Sequence, residues 1–414
     1  MKLSWFGRLA LALFASLALG LGMSACGGGT IAYLWVLGQQ YNQIASFKVD
    51  DFTGNLTQTP HQPFATQGAN PITILVKAGG RFVYVLNQGS NDTPTSDSGD
   101  AGITVFAVGG DGSLNYLQTY HSQGFQPMWM QFDATNSYIY VLDKYSPAYQ
   151  PNPTPPPGSK PYDVNGSITA FSIDPTTGRL TLVLNTQSVP PNSPAPTYWE
   201  VGQNPLQMKQ SGSCMFTVNS ADQSITPYSL GGGGQLVNVT TGKIATGANK
   251  ISSINGNGAY VILTDTGNNT ILPYSIGSSC ALSLTLGGVT QNAPGTSNPT
   301  YSFISSNNKF LYILNQSTTS TTVTQPFSSI TGFLIQPSSS LAALTGSPYS
   351  VDSGPVCMVE DPTNKYLYVS AHNSGQVTGK LFNANTGELS QLSRGSTFSA
   401  TGLATCLAIS GAVD

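Results

Sequence analysis

Charge is what this chain has least of. Only 8% of its 414 residues are Asp, Glu, Lys or Arg, 18 acidic against 15 basic, where ordinary domains carry about 25%. No basic stripe is present to neutralise phosphates, which excludes nucleic acid as a partner. The surface must instead be built from Ser, Thr, Asn, Gln and Gly, a composition suited to export and to contacts made by hydrogen bonds. Cysteine is also scarce. There are five, and no two lie within a CxxC spacing, so a zinc-ligand pattern is missing. The acidic stretch Asp92 to Asp100 lacks the order of oxygen ligands a calcium loop needs and reads as a solvated loop. No cofactor is expected. Beyond the N-terminus, no stretch approaches the roughly 20 apolar residues of a membrane span.

The N-terminus has its own logic. Lys2 and Arg8 precede an uncharged, largely apolar run from Leu9 to Leu21, and Met23-Ser24-Ala25-Cys26 follows. Small residues before a cysteine, behind a short apolar core, mark a secretory signal. The stretch resembles the bacterial lipobox, which implies lipidation of Cys26; a plainly cleaved signal is the alternative. Residues 1–25 are then a lipoprotein signal peptide, 26–30 a Gly-rich tether, and 31–414 a single domain. The expected location is the envelope of a bacterium, lipid-anchored, with no other membrane contact.

Three anchors recur through that domain in fixed order. The first is an apolar strand centred on Trp35, Tyr84, Tyr140, Phe216, Ile262, Tyr312 or Tyr368, at spacings of 49, 56, 76, 46, 50 and 56 residues. The second is a strand of the form Ile-Thr-x-Phe/Tyr-x-Ile, as in Ile103 to Val108 and Ile168 to Ile173, with Lys380 at the aromatic position of the degenerate seventh copy. The third is a Leu past a Gly or Ser turn, 8 or 9 residues beyond that aromatic position. Period-two alternation and β-branched enrichment make these strands. Turn pairs such as Asp111-Gly112 and Thr177-Gly178 suit tight hairpins. Before most first anchors a proline opens another short strand: Pro71, Pro127, Pro205, Pro299 and Pro355. Each unit is therefore four antiparallel strands, A to D. Such a sheet has two apolar faces and buries them only by stacking on neighbours, so seven units predict an all-β, seven-bladed β-propeller. The first unit lacks strand A, and the chain ends with an orphan strand, Leu403 to Ile409. That strand should close the ring beside Leu34 to Leu37 and remove the open edge.

Closure puts Cys357 and Cys406 on neighbouring A strands, while Cys214 and Cys280 fall at turns on one face. The pairings 357–406 and 214–280 follow, with four buried free thiols as the alternative. Two Pro-rich insertions, Pro147 to Pro161 and Val189 to Asn204, should arch over one channel mouth, as a binding rim or as tolerated surface loops. B-strand ends bring Gly38, Asn87, Asp143, Asn219, Asp265, Asn315 and the run Ala371-His372-Asn373 to that mouth. This ring of amides and carboxylates could bind a sugar, polyol or lactone, or could cap loop amides. A general base needs an orienting partner. His372 is the candidate, with Asp143, Lys144 and Glu200 as possible neighbours; an exposed loop histidine is the alternative. Trp129, Tyr198 and Trp199 could form an aromatic platform for sugar rings or could simply pack.

The repeats, including Tyr-Leu-Tyr-Val from Tyr366 after Asp361-Pro362-Thr363-Asn364-Lys365, resemble the YVTN/lactonase-type seven-bladed propellers over nearly the whole mature chain. The resemblance implies that fold and, for some members, hydrolysis of 6-phosphogluconolactone. Those enzymes tend to carry Gly-Pro-Arg-His entering an A strand and Asn-Glu ending the next B strand. Here the places read Gln126-Pro127-Met128-Trp129 and Leu142-Asp143-Lys144. The expected role is thus a binding or scaffold module, a monomer taking a small neutral ligand or a protein partner at the mouth. The alternative is a lactone hydrolase.

Overall fold

A computed structural model describes residues 28–149, 165–189, 193–285, 287–316, 327–337 and 340–411. The signal segment, Cys26, most of the Pro147 to Pro161 insertion and residues 190–192 of the second insertion lie outside this set. Seven antiparallel sheets make the seven blades, each ordered D-C-B-A. The A strands are Ala404–Ile409 for blade 1, then Pro71–Val76, Phe125–Phe132, Pro205–Ser211, Ile251–Gly256, Pro299–Ile304 and Pro355–Glu360 for blades 2 to 7. Each packs beside the next around the axis. The C-terminal strand closes the ring as expected: Leu34 faces Ile409, Trp35 faces Ala408 and Val36 faces Leu407.

One feature of every blade but the second was not anticipated. Strand D is broken, and a second piece of two or three residues, such as Phe64–Ala65 or Trp199–Glu200, pairs with the start of strand C. In blade 2 strand D runs unbroken from Leu114 to Tyr120, with a register shift between Tyr116 and Gln118. Pieces this short cannot show an alternation in sequence. Breaking strand D blunts the sheet's outer edge against further pairing.

The recurrent aromatic anchor has a specific task. At the centre of strand B it is fully buried and donates to a glycine carbonyl in the C–D turn of the next blade. Trp35 Nε1 reaches Gly112 O at 3.1 Å, Tyr84 Oη reaches Gly178 O at 2.9 Å, and Tyr140 Oη reaches Gly234 O at 3.3 Å. Tyr312 and Tyr368 do the same to Gly387 and Gly54, each at 2.6 Å. The five glycines have φ between +67° and +84°. A Cβ on any of them would fall 2.3–2.6 Å from an aromatic ring two residues earlier in strand B: Tyr33, Phe82, Tyr138, Phe310 or Tyr366. Only glycine meets both demands.

The junction of blades 4 and 5 departs from this rule and repairs it covalently. Phe216 has no hydroxyl to donate. Cys280 takes the glycine position, at φ +57°, and Cys214 takes the aromatic position. They form a disulfide with a Cα–Cα separation of 5.8 Å. The second disulfide, Cys357–Cys406, joins the A strands of blades 7 and 1 at a Cα–Cα separation of 5.1 Å. Both pairings match the sequence expectation.

Candidate functional site: the channel mouth

Strands B end at the mouth, and their last residues follow a pairing rule with strand C. The Asn87 carboxamide is fully buried and donates to Thr104 Oγ1 at 3.1 Å. Asn219 donates to Thr226 Oγ1 at 3.1 Å and Asn315 to Thr331 Oγ1 at 3.0 Å. These threonines belong to the Ile-Thr motif of strand C. Where the asparagine or the threonine is missing, the arrangement changes. Blade 1 has Gly38 opposite Gln43, with Ala45 at the threonine position, and a Cβ on Gly38 would collide with Thr401 O at 1.8 Å. Blade 7 has Ala371, and its Thr378 instead donates to Asp352 at 2.6 Å.

Blade 3 places Asp143 in the asparagine position. Its carboxyl is fully buried, Oδ2 lies 3.1 Å from Thr169 Oγ1 and accepts from Gly124 N at 3.2 Å, and Oδ1 has no partner. Burial pushes its pKa up to about 8. The nearby Ser122 hydroxyl and the hydrogen bonds from Thr169 and Gly124 oppose the rise, and the nearby Asp92 charge adds to it. At neutral pH Asp143 is therefore mostly a protonated acid. In that form it can donate to Thr169 as the asparagine amides do in their own blades.

Blade 5 also has an aspartate there, but Leu272 replaces the threonine. Asp265 turns to the loops and accepts from the backbone N–H groups of Asn249 at 2.9 Å, Lys250 at 2.8 Å and Gly267 at 2.9 Å. Burial again opposes ionisation, but these donors outweigh it and hold the carboxyl below its ordinary pKa.

Glycines of the D–A loops lie directly over three ring members. Added Cβ atoms on Gly68, Gly124 and Gly202 would meet Asn87 at 2.7 Å, Asp143 at 2.6 Å and Asn219 at 2.4 Å. The loops thus cover these ring members closely: Asn87 donates to Thr66 O at 3.3 Å, and the two aspartates accept loop N–H groups. His372 is half-buried on blade 7, across the ring from Asp143, and its Nδ1 lies 3.1 Å from Ala404 O. Asn373 beside it is exposed. Lys144 ends blade 3's strand B with Nζ 5.2 Å from the Tyr145 ring centre. Glu200 and Trp199 belong to the second piece of blade 3's strand D, where Glu200 pairs with Ser167, itself the partner of Asp143. The structure therefore brings Asp143, Lys144 and Glu200 onto one sheet and leaves His372 on the far side. Of the aromatic trio, Tyr198 and Trp199 are neighbours, whereas Trp129 sits on the inner strand of blade 3.

A crevice of about 120 Å³ opens beside Asp143, lined by Asp92, Asp97, His121, Ser122 and Gly124. The stretch read as a solvated loop forms a small hairpin there, Asp92–Thr93 against Ser96–Asp97, and Asp92 accepts from Gln126 N at 2.8 Å. Among the described residues no group of His, Cys, Asp and Glu is arranged to hold a metal. Below the mouth the channel holds a mainly apolar hollow of about 440 Å³, lined by residues including Leu75, Trp129, Phe303 and Val359. Lys209, half-buried on the inner strand of blade 4, was passed over in the sequence. Desolvation lowers its pKa. The signal was a lone lysine where the other inner strands carry Leu75, Gln131, Asn255, Phe303, Val359 and Ala408.

The family model described as Lactonase, 7-bladed beta-propeller matches residues 93–279 and 281–405. The chain belongs to this family. A 6-phosphogluconolactonase from Bacillus subtilis is 29% identical over 149 residues, which span 36% of this chain and 31% of that protein. A periplasmic gluconolactonase from Pseudomonas aeruginosa superposes with a TM-score of 0.66 at 15% identity, covering 93% of this lactonase-family chain and all of the other. A Bacteroides fragilis protein described provisionally as a 6-phosphogluconolactonase gives a TM-score of 0.65 at 16% identity, with 92% and 98% coverage. At these identities the superpositions establish the shared fold alone.

Proposed function

We propose that this lactonase-family propeller is an exported, lipid-anchored monomer that binds a small neutral ligand, a sugar or a lactone, or a protein partner at the channel mouth. One observation carries the reading. Asp143, the carboxyl group on the stretch where family enzymes keep a charged residue, is fully buried, held by Thr169 and Gly124 through one oxygen and unpartnered at the other, and burial pushes its pKa up to about 8, which favours the neutral acid. In that state it offers structure and neutral hydrogen bonding, but no carboxylate to polarise an attacking water. Gln126 and Met128 supply no cation for a phosphate. Two disulfides support a location outside the cytoplasm, and the lipobox-like stretch supports anchoring through Cys26.

A second reading, lactone hydrolysis, draws support from the Bacillus subtilis relative and from the crevice that joins Asp92 and His121, whose Gly124 wall donates to Asp143. Incubating the purified mature protein with a panel of phosphorylated and unphosphorylated lactones separates the two. The expected result is thermal stabilisation by neutral ligands without turnover. Hydrolysis that disappears in both Asp143→Ala and His372→Ala would establish the enzyme instead. Loss of membrane fractionation in Cys26→Ala tests the anchor.

A further inference from the structure

A cavity flanks the ring of strand-B ends and shares Gly202 and Thr226 with it. It measures about 520 Å³, between blades 3 and 4, and its lining includes Asn165, Tyr198, Trp199, Tyr228, Asn238 and Lys243. That size lies inside the usual range of small-ligand sites, about 300–1,000 Å³. We propose that it is a binding site for a neutral carbohydrate.

The unexplained group is Trp199. Its side chain is 2% exposed, and its indole N–H has no hydrogen-bond partner. Trp35, buried as deeply on blade 1, donates its N–H to Gly112 O at 3.1 Å. Buried indole donors are normally satisfied in this way. Trp199 packs with Tyr140, Ile168, Met208 and Tyr228 and lines the cavity, with its indole nitrogen closed to solvent and its donor unused. A small opening of that wall would let a ligand hydroxyl or ring oxygen satisfy it.

The other groups set the ligand class. Tyr198 is half-buried and contributes an aromatic wall suited to the C–H face of a sugar ring. Tyr228 is buried, and its hydroxyl donates to the Glu200 carbonyl, which fixes the floor. Asn165 and Asn238 are neutral amides. Lys243, the cation at the edge, is ion-paired with Asp222, so its charge is already answered from within blade 4. Aromatic and amide-rich, with Glu200 also in its lining, the cavity suits an uncharged polyhydroxylated ring over a phosphosugar or a sugar acid, which that carboxylate would repel.

Calorimetric titration of the mature protein with glucose, galactose, N-acetylglucosamine, cellobiose and maltose tests the assignment. At least one should bind saturably and change tryptophan fluorescence. Trp199→Phe keeps the packing but deletes the donor, and should weaken binding about tenfold, the value of roughly one hydrogen bond. Tyr198→Ala, on the surface side of the cavity, should weaken it as well, while His372→Ala at the mouth should not. Absence of saturable binding across these sugars, or binding indifferent to both Trp199→Phe and Tyr198→Ala, overturns the proposal. Binding lost in His372→Ala alone would place the sugar at the mouth and equally reject this cavity.

Discussion

Blades 3 and 5 are built from the same repeat, yet each treats an aspartate and a blade junction in the opposite way. In blade 3, Asp143 faces Thr169, is fully buried and holds its proton to about pH 8. In blade 5, Asp265 lacks a threonine, collects backbone N–H groups and stays ionised. Blade 3 meets blade 4 through Tyr140 and Gly234, whereas blade 5 meets blade 4 through Cys214–Cys280. The lesson is that a repeat position has no fixed chemistry. Its partner on the neighbouring strand or turn decides whether the residue is neutral or charged, hydrogen-bonded or cross-linked.

The junctions offer the largest test. The disulfide closes a span of 66 residues, and removing a native bridge typically costs about 2–5 kcal/mol. Cys214→Ser should therefore lower the denaturant midpoint clearly. If the cystine stands in for the aromatic–glycine contact, Cys214→Tyr combined with Cys280→Gly should recover most of that loss, because glycine suits φ +57° and the ring could lie on it as Tyr138 lies on Gly234. A double variant no more stable than Cys214→Ser would mean that the two junctions are not interchangeable.

Next in size is the ionised member of the aspartate pair. Each hydrogen bond to a charged group contributes about 1.5–3 kcal/mol. Asp265→Ala should thus destabilise the protein by a few kcal/mol at pH 7 and release the Asn249, Lys250 and Gly267 amides, as read by hydrogen exchange there. The sign with pH is fixed by the lowered pKa. Stability from Asp265 is complete above the ordinary carboxylate pKa, about 3.9, and is lost as pH falls through the folded value. Asp265→Ala should therefore narrow its deficit in acid.

Most of this architecture was legible because its signals repeat. Seven copies of an aromatic-centred strand fixed the number of blades, and the orphan run Leu403 to Ile409 could belong only to the strand missing at the start. The cysteines could be paired because closure placed them. The split D strands stayed hidden, since two residues such as Phe64–Ala65 have no period. The site was read less well for a related reason. Asn87, Asp143 and Asn219 were visible as a ring, but the glycines lying over them and the threonines beneath are contacts across strands and loops, which spacing alone does not give. Trp199 appeared as an aromatic near others; only its unpartnered N–H marks it.

The smallest expected change, at the acid end of the profile, is also the most discriminating. If Asp143 is a protonated stand-in for asparagine, Asp143→Asn should leave stability almost unchanged near pH 4, since Nδ2–H can donate to Thr169 as it does from Asn87 to Thr104. The pH profile should nevertheless separate the two proteins. The folded acid keeps its proton to about pH 8, while the unfolded chain releases it near 3.9. The folded state therefore binds the extra proton, so stability is complete below about 3.9, falls as pH rises through the window, and is lost above the folded value. Thermal melts from pH 4 to 8, about the span of that window, should show the wild type declining and Asp143→Asn declining less, so that the two match in acid and the variant is the more stable protein from neutral pH upward. Parallel profiles would mean that Asp143 is ionised in the folded protein, and the contrast with Asp265 would then reduce to their different partners.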